Sequence, residues 1–426
     1  MNNFIGYRCS ICDQTYGPNE VTYICLKCGG NLDVEMDYEY IQKKYQPADI
    51  ISRSNPSIWR YLPLLPVSAP AGDLTPLHVV GGTPTFVLPQ LKEKLGMKYV
   101  WLKDENRNPS ASFKDRASAV VVTRAIEIGA EILVTASTGN AGAALACMAA
   151  AAGQKAVIFA PKSAPPAKVA QLLVFGARVI LVDGTYDDAF DLSVSAAREF
   201  GWYCRNTGYN PFTAEGKKTA AFEIWEFMQN QAIGGMRVSR SADTVPVKDV
   251  RLTLFVPVGD GNIISGIHKG FKDLRALGWI DRIPRIIGVQ AQGSAAIANA
   301  FEAGGEDIQP VKANTVADSI SVNLPRDGVR ALRAARETGG TYLTVSDPEI
   351  LQAISTLGKT GIFAEPAGAT ALAGLEKAKE QGLVDKETPV MLLNTGSGLK
   401  DIKAAMQAVN PAPIIAPTLA DLKKIL

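Results

Sequence analysis

Histidine is nearly absent: only His78 and His268 occur in 426 residues, and neither stands beside a nucleophile motif. Ser-His and Cys-His catalysis therefore have almost no material to work with. An excess of charge is missing too. The 44 basic and 42 acidic side chains leave no global field to draw in DNA, RNA or an anionic membrane, so neither nucleic acid nor membrane is expected as a partner. Six cysteines are too few for a dense disulfide framework in a chain this long, and four of them sit as two CxxC pairs near the start. That usage favours a reducing cytoplasm and a metal site. The opening Met1-Asn2-Asn3-Phe4 lacks the basic and apolar regions of a signal peptide, and no lipidation motif comes after it, so export is not expected. The run from Ile132 to Gln154 carries no charge, but Ser137-Thr138-Gly139-Asn140 interrupts it and alanine dominates the rest. It reads as a buried strand, a turn and a buried helix rather than a membrane span.

What is present is a 47% hydrophobic chain long enough for two or three domains. Residues to about Asp37 are rich in Cys, Tyr and Gly, and a polar, Pro-containing stretch running to Pro70 separates this small appended domain from the rest of the chain. From Val100 onward short apolar runs alternate with helical stretches, which indicates an α/β architecture with a mainly parallel sheet. Ile132–Ala136, Ala156–Ala160 and Val179–Val182 read as strands, with Ala141–Ala152 and Ala167–Phe175 as helices between them. A second series has strands at Leu252–Val256, Ile286–Val289 and Val390–Leu393, and helices at Ile263–Leu277 and Leu399–Ala408. Two open α/β domains facing one cleft is the simplest arrangement, and a cleft between domains is where a ligand sits. There is no fixed-period repeat and no low-complexity tract; Gly234–Val247 reads as a surface loop, and the Pro-rich Asn410–Pro417 as a surface wrap.

Cys9-Ser10-Ile11-Cys12 and Cys25-Leu26-Lys27-Cys28, with twelve residues between, let four thiolates close a tetrahedron around zinc. Gly29-Gly30 supplies a turn whose N–H groups point back at sulfur. All four positions are filled by protein, so this zinc is assigned to folding, ahead of a redox dithiol or four metal-free buried thiols.

Lys114 lies in the stretch Asn108-Pro-Ser110-Ala-Ser-Phe-Lys114-Asp-Arg-Ala-Ser118, a Ser/Pro loop leading into an apolar helix. A lysine amine that is partly desolvated and near other cations has a lowered pKa, which suits it to Schiff-base formation and general-base work. Taken alone, such a lysine is more often a solvated surface group. Two glycine turns change that reading. Ser137-Thr138-Gly139-Asn140-Ala141-Gly142 lies between strand and helix, where free N–H groups hold a carboxylate, and Pro257-Val258-Gly259-Asp260-Gly261-Asn262-Ile263 repeats the arrangement in a form that suits a phosphate. The Asp260 carboxylate would repel a phosphate unless it points away, so the backbone is the expected donor there.

Together with Gly81-Gly82-Thr83-Pro84, Ser112-Phe113-Lys114-Asp115-Arg116, Glu365-Pro366-Ala367 and Thr395-Gly396-Ser397-Gly398-Leu399-Lys400-Asp401, these motifs resemble the threonine synthase family. The match runs in order over nearly the whole chain, and the N-terminal ribbon resembles that of many members. The resemblance implies the tryptophan-synthase-β-like architecture, fold type II, of pyridoxal-phosphate enzymes. It implies that Lys114 carries pyridoxal 5'-phosphate as a Schiff base and then shuttles protons. It places Asn140 beside the cofactor ring oxygen, Ser137 and Thr138 on the substrate carboxylate, Gly259, Asp260, Gly261 and Asn262 around the cofactor phosphate, and Thr395 on the pyridine nitrogen. A homodimer is implied as well. The expected division is a ribbon over 1–40, a large α/β domain over 41–130 and 207–426, and a smaller one over 131–206.

Two positions depart from the family. Ser397 stands where a histidine is common, and Thr213, after Asn210-Pro211-Phe212, stands where many members have an arginine that helps to bind the phosphate of O-phosphohomoserine. Threonine offers no charge-assisted fork there. The expected reaction is O-phospho-L-homoserine and water to L-threonine and phosphate, with a small phosphorylated amino acid as substrate. A related lyase or β-replacement enzyme remains as the alternative: threonine or serine dehydratase, diaminopropionate ammonia-lyase or cysteate synthase. A zinc-ribbon interaction module fused to an inert α/β body is a third reading, opposed by the near-neutral charge and by Lys114.

Overall fold

A computed structural model describes residues 3–51, 55–229 and 251–426. The expected loop at Gly234–Val247 lies outside the described residues. Three strands begin the chain: β1 (Phe4–Cys9), β2 (Thr15–Tyr16) and β3 (Leu32–Met36) form an antiparallel sheet in the order β2-β1-β3. β4 (Thr85–Val87) and β5 (Val100–Asp104) start a second sheet, which the chain leaves to build β6 (Ile132–Ala136), β7 (Lys155–Pro161), β8 (Arg178–Val182) and β9 (Tyr203–Cys204). These four pair in parallel in the order β8-β7-β6-β9. The chain then returns with β10 (Thr253–Pro257), β11 (Arg285–Ala291), β12 (Thr341–Val345) and β13 (Val390–Asn394), completing a six-stranded sheet in the order β12-β11-β10-β13-β5-β4. All its pairings are parallel except that of β4 with β5.

The charge-free run resolves as expected into β6 and a buried Ala-rich helix, Asn140–Ala151. Its small side chains permit close approach, and Gly142 is required there because a Cβ would come within 2.2 Å of Ser137 O. No helix among the described residues is long and apolar enough to cross a membrane. Two segments differ from the sequence reading. The stretch to Pro70 is no mere spacer, since Ile41, Ile50, Ile58, Trp59, Tyr61, Leu64, Leu65 and Val67 are all buried in the main core. The expected helix Leu399–Ala408 is divided into a 3-10 turn, Gly398–Lys400, and a short helix, Ile402–Gln407, because Asp401 caps the second by accepting from Ala404 N. Asn410–Pro417 has no regular structure and is exposed.

One buried ionic network ties the layers together. Arg116, in the helix Lys114–Glu127, donates from Nε to Glu105 Oε2 at 2.7 Å and from Nη1 and Nη2 to the Glu223 carboxylate at 2.7 Å each. Lys103 of β5 lies 2.7 Å from the same Glu223 and donates to Thr83 O and Oγ1. Glu223 also accepts from the Gly82 amide, and Asn108 Oδ1 from the Gly81 amide. Two bases and two acids thus neutralise one another, out of water, where β5, the Gly81–Gly82 turn and the helix Phe212–Gln229 meet.

Removing one member of such a network strands its partners. Arg116→Met is expected to cost about 3–5 kcal/mol in chemical denaturation. Lys43→Met, at an exposed pair 3.9 Å from Glu39, is expected to cost less than about 1 kcal/mol. Equal, small losses in both would remove the network from its central place.

Candidate active site

Lys114 is the first residue of its helix, and the loop before it is fixed from three sides. Phe113 N donates to Thr395 O at 2.9 Å, Ser397 N donates to Ala111 O at 3.2 Å, and Ser110 N donates to Asp115 Oδ2 at 2.6 Å. Ala111 has a left-handed backbone, φ 61°, a strained conformation for a residue with a side chain. Lys114 Nζ makes no hydrogen bond or ion pair with any described residue. Burial, then the nearby Arg205 guanidinium, lowers its pKa below the usual lysine range, against Asp260 and Glu365, which raise it.

The turn at Gly259–Asn262 faces the same cavity as Lys114, Asn140, Thr207, Lys217, Glu365 and Thr395. It comes after β10 and opens the helix Asn262–Ala276 through Gly261 at φ 89°. A Cβ on Gly261 would meet Asp327 O at 2.6 Å, so glycine is required on both steric and conformational grounds. Among the described residues no acceptor takes the amides of Gly261, Asn262, Ile263 or Ile264. Asp260 also lines this cavity, and its carboxylate accepts from Arg326 N at 3.3 Å.

Asn140 also lines this cavity, and its Nδ2 donates to both Glu365 oxygens at 2.8 and 3.0 Å. Ser319 Oγ joins them, 3.2 Å from Glu365 Oε2. Burial raises the pKa of Glu365. The Thr395 hydroxyl makes no hydrogen bond to a described residue. Thr138 lines an adjoining cavity of about 360 Å³ that shares Asn140, Ser319, Glu365 and Ala367 with the first and adds Lys168 and Lys400. Ser137 lines neither cavity; its amide is bonded to Phe159 O at 3.0 Å. The structure thus brings together Lys114, Asn140, Gly259, Asp260, Gly261, Asn262 and Thr395, sets Thr138 next door, and leaves Ser137 one residue outside.

Several cleft residues escape the sequence reading. Glu365 is visible there only as part of a motif without a role. Thr207 comes just after β9 and lines the cavity; Arg205, two residues before it, is fully buried and lines neither cavity, and its only signal in sequence is an arginine closing an apolar strand. Lys400 Nζ is buried without a hydrogen-bond partner among the described residues. Neither histidine takes part: His268 is buried elsewhere, its pKa lowered to about 3 by desolvation, and His78 Nδ1 faces Thr75.

The four cysteines of the N-terminal sheet form a separate cluster. Their sulfurs lie within 4.8 Å of one another, with Cys9–Cys28 at 3.5 Å and Cys12–Cys25 at 3.6 Å. A tetrahedral zinc with bonds of about 2.3 Å requires sulfurs roughly 3.8 Å apart, so the donor set fits such an ion. In the cleft, a free amine suits an aldehyde, and unpaired amides at a helix start suit a phosphate.

Comparison with known proteins agrees with that donor set. The pyridoxal-phosphate-dependent enzyme family matches residues 77–396. The chain is 39% identical to a threonine synthase of Methanocaldococcus jannaschii and 36% identical to one of Methanosarcina acetivorans, each over 98% of both chains. Among solved structures it is similar to threonine deaminase isoform 2 of Solanum lycopersicum, at 21% identity and TM-score 0.64, over 81% of this chain and 92% of that one. Diaminopropionate ammonia lyase of Escherichia coli is also similar, at 21% identity and TM-score 0.63, over 84% and 92%.

Because the Arg205 cation depresses the Lys114 amine, Arg205→Met is expected to raise the Lys114 pKa and leave less neutral amine at any given pH. The pH midpoint for capture of unphosphorylated pyridoxal, measured by absorbance, should move upward, while Lys162→Met leaves it in place. An unmoved midpoint would disconnect the two groups.

Proposed function

The chain belongs to the pyridoxal-phosphate-dependent enzyme family, and from that premise we propose that its cleft converts O-phospho-L-homoserine and water to L-threonine and phosphate, as a threonine synthase. The observation that carries the reading is one cavity lined by an unpartnered lysine amine, Lys114, and by the amide turn Gly259–Asn262, in a chain similar to threonine synthases over 98% of its length. The bound cofactor supplies the conjugated ring that draws electrons from the substrate's α carbon.

The chain's own residues do the rest. Lys114 binds the cofactor aldehyde through Nζ. Burial lowers its pKa, which favours the neutral amine that takes the proton from the substrate α carbon and returns protons to the carbons beside it. The amides from Gly261 to Ile264, at the positive end of a helix, hold the cofactor phosphate. Thr395 would offer a neutral hydroxyl to the ring nitrogen, which would leave that nitrogen largely unprotonated. Asn140 would stand beside the ring oxygen, and Glu365, by accepting both its Nδ2 hydrogen bonds, decides which way the amide faces. Thr138 and the free N–H groups at the start of the helix Asn140–Ala151 receive the substrate carboxylate, with Ser137 behind them.

The reading extends to a structural zinc on Cys9, Cys12, Cys25 and Cys28 and to a cytoplasmic homodimer whose ligand is an amino acid. The proposed division keeps the ribbon over 1–40, the large α/β domain over 41–130 and 207–426, and the smaller one over 131–206.

Lys114→Ala is expected to lose both the visible absorbance of bound cofactor and turnover. Borohydride treatment of the unsubstituted protein should fix the cofactor to the peptide containing Lys114 and to no other. Threonine and phosphate in equal amounts from O-phosphohomoserine support the synthase. Keto-acid from threonine, serine or O-phosphoserine, without that activity, assigns the cleft to a lyase instead.

Metal analysis should find one zinc per chain, lost in Cys28→Ser. Chelation should lower the melting temperature while Lys114 still captures cofactor. Metal-free protein of unchanged stability would remove the zinc.

A further inference from the structure

The turn at Gly259–Asn262 does not stand alone, because a second stretch of chain is fitted against it. Asp327 N donates to Asp260 O at 2.9 Å, and Arg326 N donates to Asp260 Oδ1 at 3.3 Å. Asn262 Nδ2 donates to Asp327 Oδ2 at 2.6 Å, while Asn262 Oδ1 accepts from Lys217 Nζ and lies 3.1 Å from Thr213 Oγ1. The Asn262 side chain is thus pinned through both of its polar atoms. Its backbone N–H is the group left unbonded at the cavity.

That fit brings a negative charge with it. Asp327 is fully buried, and its carboxylate touches the turn through Asn262. Burial lowers the pKa of Lys217, and Asp327 is among the groups that oppose the shift, so its field reaches the lining of the cavity. A bare carboxylate there would repel a dianion, and burial would strengthen the repulsion. Arg330 removes it. Its Nε donates to Asp327 Oδ1 at 2.6 Å and its Nη2 to Asp327 Oδ2 at 2.7 Å, a two-pronged grip that cancels the charge and fixes the plane of the carboxylate.

Arg330 is in turn held by the N-terminal sheet. Its Nη1 donates to Asp33 Oδ1 at 2.7 Å and to Leu32 O at 3.1 Å, and Leu32 is the β3 residue paired with Cys9 of β1. One residue earlier, Asn31 Nδ2 donates to Arg326 O at 3.1 Å. Three consecutive residues, Asn31, Leu32 and Asp33, therefore hold both ends of the stretch from Arg326 to Arg330. Lys272 and Lys269 also lie within electrostatic reach of Asp33. What Asp33 gives Arg330 is therefore an anchor, while the charge of Asp33 is met from elsewhere as well.

We propose that Arg330 and Asp33 are positioning residues for the cofactor phosphate: Arg330 cancels the Asp327 carboxylate and sets the Gly259–Asn262 turn, and the N-terminal sheet, through Asp33, keeps Arg330 in place. This rests on the reading of that turn as the cofactor-phosphate site. Neither residue lines the two cavities of the cleft, so each acts through Asp327 and Asn262. The small N-terminal sheet thereby contributes to the preference of the cleft for a phosphorylated cofactor.

The test titrates the full-length chain, freed of cofactor, with pyridoxal 5'-phosphate and separately with unphosphorylated pyridoxal, reading capture by Lys114 as absorbance. Both compounds bring the same aldehyde, and only one brings the phosphate. Arg330→Met should weaken pyridoxal 5'-phosphate roughly tenfold to a hundredfold and leave pyridoxal within about twofold. Asp33→Ala should also weaken only the phosphorylated form, by about threefold to tenfold. Adding Asp327→Asn to Arg330→Met should recover about tenfold, because the charge that Arg330 cancels is then gone. Arg333→Met, on the same helix, loses contacts with Ser10 O and Glu306 but leaves Asp327 paired, and should change neither titration. If Arg330→Met does not fold, Asp33→Ala carries the test. Equal weakening of both compounds would make Arg330 and Asp33 general supports of the fold and overturn the proposal. So would an undiminished preference for pyridoxal 5'-phosphate in both variants, or a double variant without recovery. An unsubstituted protein that takes pyridoxal as tightly as its phosphate would instead remove the cofactor-phosphate reading of the turn, and the proposal with it.

Discussion

Arg116 and Glu223, both buried, grip each other through two hydrogen bonds of 2.7 Å. The position of Lys114 depends on that grip. Lys114 is two residues before Arg116 in the same helix, so fixing one guanidinium against Glu105 and Glu223 fixes where Nζ starts. Glu223 belongs to the helix Phe212–Gln229, which also carries Lys217 to the cleft. A single helix therefore offers a neutralised contact on one side and an unneutralised cation on the other. Well-packed apolar groups in place of a buried pair often preserve stability, but here they would release the orientation that the planar, bidentate fork imposes.

The N-terminal sheet is joined to the cleft by a short chain of contacts. Arg330 donates to Asp33 Oδ1 at 2.7 Å and to Leu32 O at 3.1 Å on β3, and grips Asp327 with its other nitrogens. Asp327 holds Asn262 and receives no further cation among the described residues. Asn31 Nδ2 donates to Arg326 O at 3.1 Å and to Gly208 O, next to Thr207. Tyr23 accepts from Cys204 N at 2.8 Å and stacks on Tyr209 with ring centroids 4.7 Å apart. The cysteine cluster thus sits on a platform that touches both glycine-turn and strand-end sides of the cavity, although no cysteine of the cluster lines it. The N-terminal sheet and the cleft are linked through Asp33, Arg330 and Asp327.

The parts of this architecture that are legible in sequence are those fixed locally. β6, β7 and β8 are marked by aliphatic runs bounded by turns, and Lys114 by a Ser/Pro loop entering an apolar helix. Both glycine turns are visible because a helix start after a buried strand has the same local signature wherever it occurs. What escapes depends on pairing across the chain. Arg116 and Glu223 are 107 residues apart, and Asn140 and Glu365 are 225 apart. No window of sequence distinguishes Lys217, which meets a neutral amide, from Lys218, which meets Asp273. The residues up to Pro70 mislead for the same reason: their polarity and prolines read as a spacer, while Ile58, Trp59 and Tyr61 are held in the core by partners far along the chain.

The two kinds of buried charge also divide the work of stability. The Arg116 network is complete in the protein alone, so its contribution is present whether or not a ligand is bound. Lys217 makes no ion pair with a described carboxylate, and its desolvation cost burdens the ligand-free fold. Any anion that reaches it recovers that cost on binding, which makes ligand affinity and fold stability two readings of one free energy. Burial lowers the pKa of Lys217, with Lys114 and then Arg205 acting the same way, so a negative charge beside the amine would stabilise its protonated form.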